Sequence, residues 1–207
     1  MNYITSWCRI RQNVVTANGQ TVFEDPASAL PGFLVNTYRH LQTDYPKFYK
    51  MDRLCQLGFL AAEVMLRGRT LKEEYPPESV AVVLANRHSS LDTDARYQES
   101  VSGIPSPALF VYTLPNIVIG EICIRHQLKG ENTFFVQEQY DIPFLNDYTG
   151  QLLEQGAAKA VIGGWVDVFQ DQYEAFLYLA GQKQTPGSII CNRQNVSALY
   201  GIVDAGS

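Results

Sequence analysis

Residues Met51–Ala85, MDRLCQLGFLAAEVMLRGRTLKEEYPPESVAVVLA, decide the fold. Met51, Leu54, Cys55, Leu57, Gly58, Ala61, Ala62, Met65 and Leu66 are apolar or small on most faces of a helix, and Gly68 ends the run. A helix of that kind is buried on several sides, not laid on a surface by one stripe. Ser79–Ala85 (SVAVVLA) then reads as a short continuous apolar strand, covered on both faces as in a parallel sheet.

Working outward, helices and strands alternate. Tyr3–Ile10 and Gln20–Phe23, the latter after the turn-forming Ala17-Asn18-Gly19, read as a strand pair. Pro26–Tyr49 is mixed, with one short helix over Leu34–Leu41 and breakers at Pro31-Gly32 and Pro46. Ser90 is placed to cap a polar helix through Tyr97, and Pro115 to start another through Gln127. Asn132–Val136 (NTFFV) is a second buried strand, Pro143–Gln155 a further helix, and Ala158–Gly163 the strand after it. These readings predict one α/β layered domain over residues 1–207, with a central, mainly parallel sheet flanked by helices. Tyr173–Ala180, Ser188–Asn192 and Ser197–Val203 are apolar enough for further strands that would cover one sheet face.

Composition excludes several roles. Sixteen Lys and Arg against 21 Asp and Glu give a net charge of −5, with no long basic run, so neither nucleic acid nor an anionic membrane surface is an expected partner. The opening MNYITSWCRIRQN has no continuous apolar core, and no stretch approaches the roughly 18 apolar residues of a membrane span, so the cytoplasm is the expected compartment. Cys8, Cys55, Cys123 and Cys191 lie far apart without a CxxC pair, which fits buried, reduced thiols and no metal site. His40, His88 and His126 stand in no metal or catalytic motif and read as surface or satisfied core residues. No phosphate-binding glycine loop occurs, so no nucleotide cofactor is expected, and with no GxSxG elbow Ser89-Ser90 reads as loop and cap.

Four consecutive stretches resemble the N-terminal half of a β-ketoacyl synthase of the thiolase fold. KMDRLCQLGFLAAEVML (Lys50–Leu66) resembles the family helix opened by Met-Asp-Arg, and SVAVVLANRHSSLDTD the next strand and its loop. PSPALFVYTLPNIVIGEICIRHQLKGENTFFV (Pro105–Val136) is similar to the segment with a Pro-Asn helix start and a Leu-x-Gly-Pro-x turn, with Glu131 in place of the proline. LLEQGAAKAVIGGWVDV (Leu152–Val168) is similar to the helix end and the strand that closes on a double glycine.

The resemblance implies a nucleophilic cysteine nine residues after the turn glycine, and counting from Gly130 reaches Gln139. A carboxamide nitrogen, its lone pair delocalised into the carbonyl, is no acyl acceptor. Val136-Gln137-Glu138-Gln139 is similar to the Glu-Gln of chain length factors, the catalytically silent partners of ketosynthases in type II polyketide systems. The family's second-half histidines have no counterpart in the roughly 40 residues after Val168. The implied role is a truncated, non-catalytic chain length factor-like subunit in fatty-acid or polyketide synthesis, polyene pigments included, with Gln139 structural or gating. Its implied partners are a full-length ketosynthase, or a second copy, and acyl carrier protein. Phe110, Tyr112, Leu114 and Phe135 are acyl-tunnel candidates, and Asn132, Thr133, Phe134, Phe135 and Val136 the dimer strand. Two rivals stand beside this: a divergent acyltransferase using Cys123 or Ser89, and a self-associating structural protein.

Overall fold

The computed structural model describes residues 1–101, 103 and 106–201. Pro105 and the end of the Ser197–Val203 strand candidate, residues 202–203, lie outside them. Strands β1 (Tyr3–Arg11), β2 (Val14–Ala17), β3 (Gln20–Glu24), β4 (Val80–Asn86), β5 (Asn132–Val136), β6 (Ala160–Phe169) and β7 (Gln172–Gly181) form one sheet in the order β3-β2-β1-β7-β6-β4-β5, and β8 (Ile189–Ile190) pairs with β1. Helices α1 (Leu30–Leu41), α2 (Arg53–Met65), α3 (Leu71–Glu74), α4 (Leu91–Val101), α5 (Pro107–Val111), α6 (Ile117–His126), α7 (Ile142–Glu154) and α8 (Arg193–Tyr200) complete the chain.

The layered α/β architecture is the expected one, with strands at Tyr3, Val80, Asn132 and Ala160 and with α2 buried against them. The parallel part is narrower than expected. β4 is parallel to β5 and to β6, whereas β6/β7, β7/β1, β1/β2, β2/β3 and β1/β8 are antiparallel. The physical reason lies in the connections. Only Gln170 and Asp171 join β6 to β7, and a parallel pair needs a crossover of a dozen residues or more. Ser197–Tyr200 is helical instead of extended: Asn192 Oδ1 accepts from Asn195 N–H at 2.8 Å, and Gly201 at φ 98° ends α8. Pro31 enters α1 in its first turn, where a proline costs no hydrogen bond, so that helix begins at Leu30.

Side chains alternate between two cores. Val80, Val82, Leu84, Ile162, Leu177 and Leu179 face α1, α2 and α6, and Ala81, Val83, Val161, Phe176 and Tyr178 face α7 and α8. A bulge between Ile4 and Ser6 lets β1 serve both, so Ile4 joins the α7 side while Cys8 and Ile10 join the α2 side. Ten of the thirteen residues of α2 are buried. Asp52 of the Met-Asp-Arg motif caps this helix, accepting from Cys55 N–H at 2.9 Å and Thr93 Oγ1–H at 2.6 Å. Burial pushes its carboxyl above the ordinary range.

Candidate functional site

Buried on both faces, β4 ends at Asn86, whose side chain shapes the adjoining turn. Its Oδ1 accepts from Ser89 N–H at 2.9 Å and its Nδ2 donates to Ser89 C=O at 2.7 Å. This clamp holds Ser89 at φ 52° and throws Arg87 and His88 out beyond the strand end. β5 delivers Glu138, Gln139 and Tyr140 on the loop before α7, which is capped by Asp141 accepting from Phe144 N–H at 3.0 Å. Trp165 and Asp167 come from β6, Gln172, Tyr173 and Glu174 from β7, and Tyr200 from the end of α8. Together these residues line a cleft of about 280 Å³ at the carboxyl ends of the three parallel strands, where open α/β sheets place their sites.

Two features give the cleft chemistry. Asp167 Oδ2 lies 2.7 Å from His88 Nδ1, and its Oδ1 accepts from the backbone N–H groups of Arg87 and His88, each at 3.0 Å. A carboxylate only accepts, so the Asp167 contact selects the tautomer of the neutral ring in which Nδ1 carries the proton and Nε2 the free lone pair. His88 also stacks on Phe169 at 4.9 Å, which fixes its plane. The second feature is an aromatic wall of Tyr140, Trp165 and Tyr200, with the Trp165 and Tyr200 ring centroids 5.7 Å and 4.9 Å from that of Tyr140. Tyr140 Oη and Trp165 Nε1 are buried without a hydrogen-bond partner among the described residues. Burial drives the Tyr140 phenol well above its ordinary value. Tyr200 is held by donating to Glu174 at 2.6 Å while Arg11 lies over its ring and binds the same carboxylate.

Gln139 is exposed at the cleft mouth, on the loop that joins β5 to α7. The four tunnel candidates are not brought together. Phe110 and Leu114 are 60% and 58% exposed, Tyr112 is buried in the α2-side core with its hydroxyl 3.3 Å from Glu121, and Phe135 packs edge-on against Phe144 and Tyr148 in the other. Asn132–Val136 is the outermost strand of the sheet at its β5 end. For the rival nucleophiles the surroundings are unhelpful. Burial pushes the Cys123 thiol up to about 11, so it stays protonated at neutral pH. No hydrogen bond joins the Ser89 hydroxyl to a base among the described residues.

Among the described residues no helix is long and apolar enough to cross a membrane. At the other pole, Glu63 on α2 accepts from Arg125 Nε and Nη2 at 3.0 and 2.9 Å, with His126 Nε2 at 3.2 Å. Burial alone would raise its pKa, but these contacts outweigh it and hold the carboxyl below the usual range.

No protein-family model and no curated protein sequence matches this chain. Solved structures do. Alignment with a chain of the ishigamide ketosynthase/chain length factor covers 87% of this chain and 62% of that one, at 18% identity and a TM-score of 0.68. The fold is that of a β-ketoacyl synthase subunit. The chain also matches a structure of the ketosynthase ApeO in complex with its chain length factor ApeC from Xenorhabdus doucetiae. That alignment covers 97% of this chain and 91% of that one, at 12% identity and a TM-score of 0.58. A third match, to the AntDE:AntF complex of a type II polyketide acyl-carrier protein with its hexaketide-bound ketosynthase, covers 87% and 62% at 13% identity and a TM-score of 0.58. The chain thus spans less than two thirds of the chain matched in the first and third of these structures.

The His88–Asp167 pair was not foreseen from the sequence. The residues are 79 apart, so no local spacing announces them. The available signal was position: His88 lies just past a buried parallel strand and Asp167 near the end of another, and strand ends of this kind meet at one site.

Proposed function

We propose that this chain is a chain length factor-like subunit, without condensing activity of its own, that supports 3-oxoacyl thioester synthesis with a full-length ketosynthase and acyl carrier protein. The supporting observation is Gln139. It stands at the β5–α7 junction of a ketosynthase fold, where the family resemblance requires a thiolate and the residue present is a carboxamide. The partner is expected to seat along β5. Glu131 C=O accepts from Val82 N–H and Gln137 N–H donates to Asn86 C=O, so by alternation the odd residues of β5 face β4 and the backbone groups of Asn132, Phe134 and Val136 point outward. Pairing across this edge satisfies those groups reciprocally and, with the flanking helices, buries well over about 1,000 Å².

The test is a condensation assay with malonyl and acyl thioesters of acyl carrier protein. The pure chain should give no product, and Gln139→Cys should give none either, because condensation also needs a group that drives decarboxylation beside the thiolate, and the cleft lining holds His88 alone, already committed to Asp167. Turnover by either protein would overturn the reading. Recovery of a ketosynthase with the protein purified from its host would support the pairing.

A further inference from the structure

We propose that the His88–Asp167 pair makes the cleft a hydrolytic site that cleaves acyl thioesters with water. The substrate class rests on the subunit reading above, whereas the hydrolytic chemistry rests on the geometry alone. His88 is a general base already in its working tautomer. Asp167 accepts from Nδ1 at 2.7 Å and is itself fixed by two backbone N–H groups. Nε2 has no protein partner among the described residues and is not among the buried orphan atoms, so it is open to the cleft that His88 lines. The Phe169 stack and the Asn86 clamp leave the imidazole little freedom to turn away.

Other groups of the cleft lining suit a carbonyl substrate. Arg87 and the Gln139 carboxamide line the same cleft and carry N–H donors for a developing oxyanion. Trp165 Nε1 and Tyr140 Oη are buried behind the cleft lining and do not reach into it. Glu138 and Glu174 are the other carboxylates of the lining, and Glu174 is already engaged by Arg11 and Tyr200.

In the reaction, a water O–H proton passes to Nε2 as the water oxygen bonds to the thioester carbonyl carbon, and the C=O electron pair moves onto oxygen. Collapse re-forms the C=O bond and breaks the C–S bond. The departing thiolate takes the proton from the imidazolium, leaving a carboxylic acid, a free thiol and His88 in its starting state. Asp167 is a positioning residue that stabilises the imidazolium. Such an activity would release stalled or wrongly primed acyl groups from the carrier.

The experiment uses the full chain and an acyl N-acetylcysteamine thioester, with thiol release measured over time. Wild type should hydrolyse it above the buffer rate, and His88→Asn, which keeps a donor toward Asp167 but has no basic Nε2, should lose about a hundredfold or more of that rate. Asp167→Asn should lose activity too. In ¹⁵N-histidine spectra of the three-histidine chain, it should convert the His88 signal from the Nδ1–H tautomer to a mixture. If His88→Asn does not fold, His88→Gln is assayed in its place. A wild-type rate equal to buffer, or full activity in the folded His88 variant, would overturn the proposal. Because the isolated chain is assayed, failure to pair with a ketosynthase would sink the subunit reading and leave this result standing, and the reverse also holds.

Discussion

β3 and β5 close the two ends of one sheet, but only β3 is guarded. Gln20, Thr21 and Glu24 keep its rim polar, and its apolar Phe23 is covered by α1, with Phe33 at 6.1 Å and His40 at 4.9 Å. β5 carries Thr133-Phe134-Phe135-Val136, and its last residue is 57% exposed. Its two phenylalanines are used by the cores on either face, yet its outer backbone groups have no partner among the described residues. A long-lived sheet protects such an edge with charge, bulges or cover. The contrast is that β5 leaves its outer edge open, as the proposed pairing requires, whereas β3 presents a polar rim and a covered aromatic.

The largest expected effect comes from Val136→Pro. The N–H lost there points away from β4, so proline should leave the fold intact while removing an outward donor and blocking strand pairing. With one ladder hydrogen bond lost on each copy, association should weaken by about 2–3 kcal/mol, roughly thirty- to a hundredfold, in sedimentation or light scattering. Phe134→Lys is a poorer probe, because Phe134 packs against the α2-side core and its loss would also disturb folding.

Next comes Gly130→Ala, which attacks the entry to β5 instead of its outer rim. A Cβ there would stand 2.3 Å from the Val80 carbonyl oxygen, and backbone cannot move aside cheaply. A loss of about 1–3 kcal/mol is expected, seen as a melting temperature roughly 3–10 °C lower. An unchanged melting temperature would show that β5 does not enter beside β4 so closely.

A smaller effect is expected from pH. Glu63 joins α2 to α6, the helices beneath Phe134, and its folded pKa lies below the ordinary value of 4.5. Its contacts with Arg125 and His126 therefore add stability above that value, and the contribution is lost as pH falls through the folded pKa. Glu63→Gln should flatten this part of an acid melting series; an unaltered acid slope would count against it. Smallest of all, Gln20→Lys on the guarded edge should change neither association nor melting, and a shift in association would mean the wrong edge has been chosen.

Much of the fold was legible. Continuous apolar runs announced β4, β5 and β6, and the all-round apolar pattern of Met51–Leu66 announced α2. Strand direction was not, because β6 and β7 are buried on both faces and read alike whether parallel or antiparallel. The two-residue link at Gln170-Asp171 was the cue that decides it. β2 is four residues long and enters through Gln12 and Asn13, both at positive φ, a turn without the glycine that usually marks one. At the site, Gln139 was reached through the family spacing, whereas His88 and Asp167 are joined only by tertiary structure.

Hydrogen exchange at β5 tests the central claim most directly, because alternate residues of the strand serve as its own control. Thr133 and Phe135 donate inward to β4 and should be protected under all folding conditions. The amides of Phe134 and Val136 point outward, so pairing across the edge predicts slow exchange at micromolar protein and faster exchange on dilution or after Val136→Pro. Rapid exchange of those two amides at every concentration, alone and with a ketosynthase present, while Thr133 and Phe135 stay protected, would contradict the account.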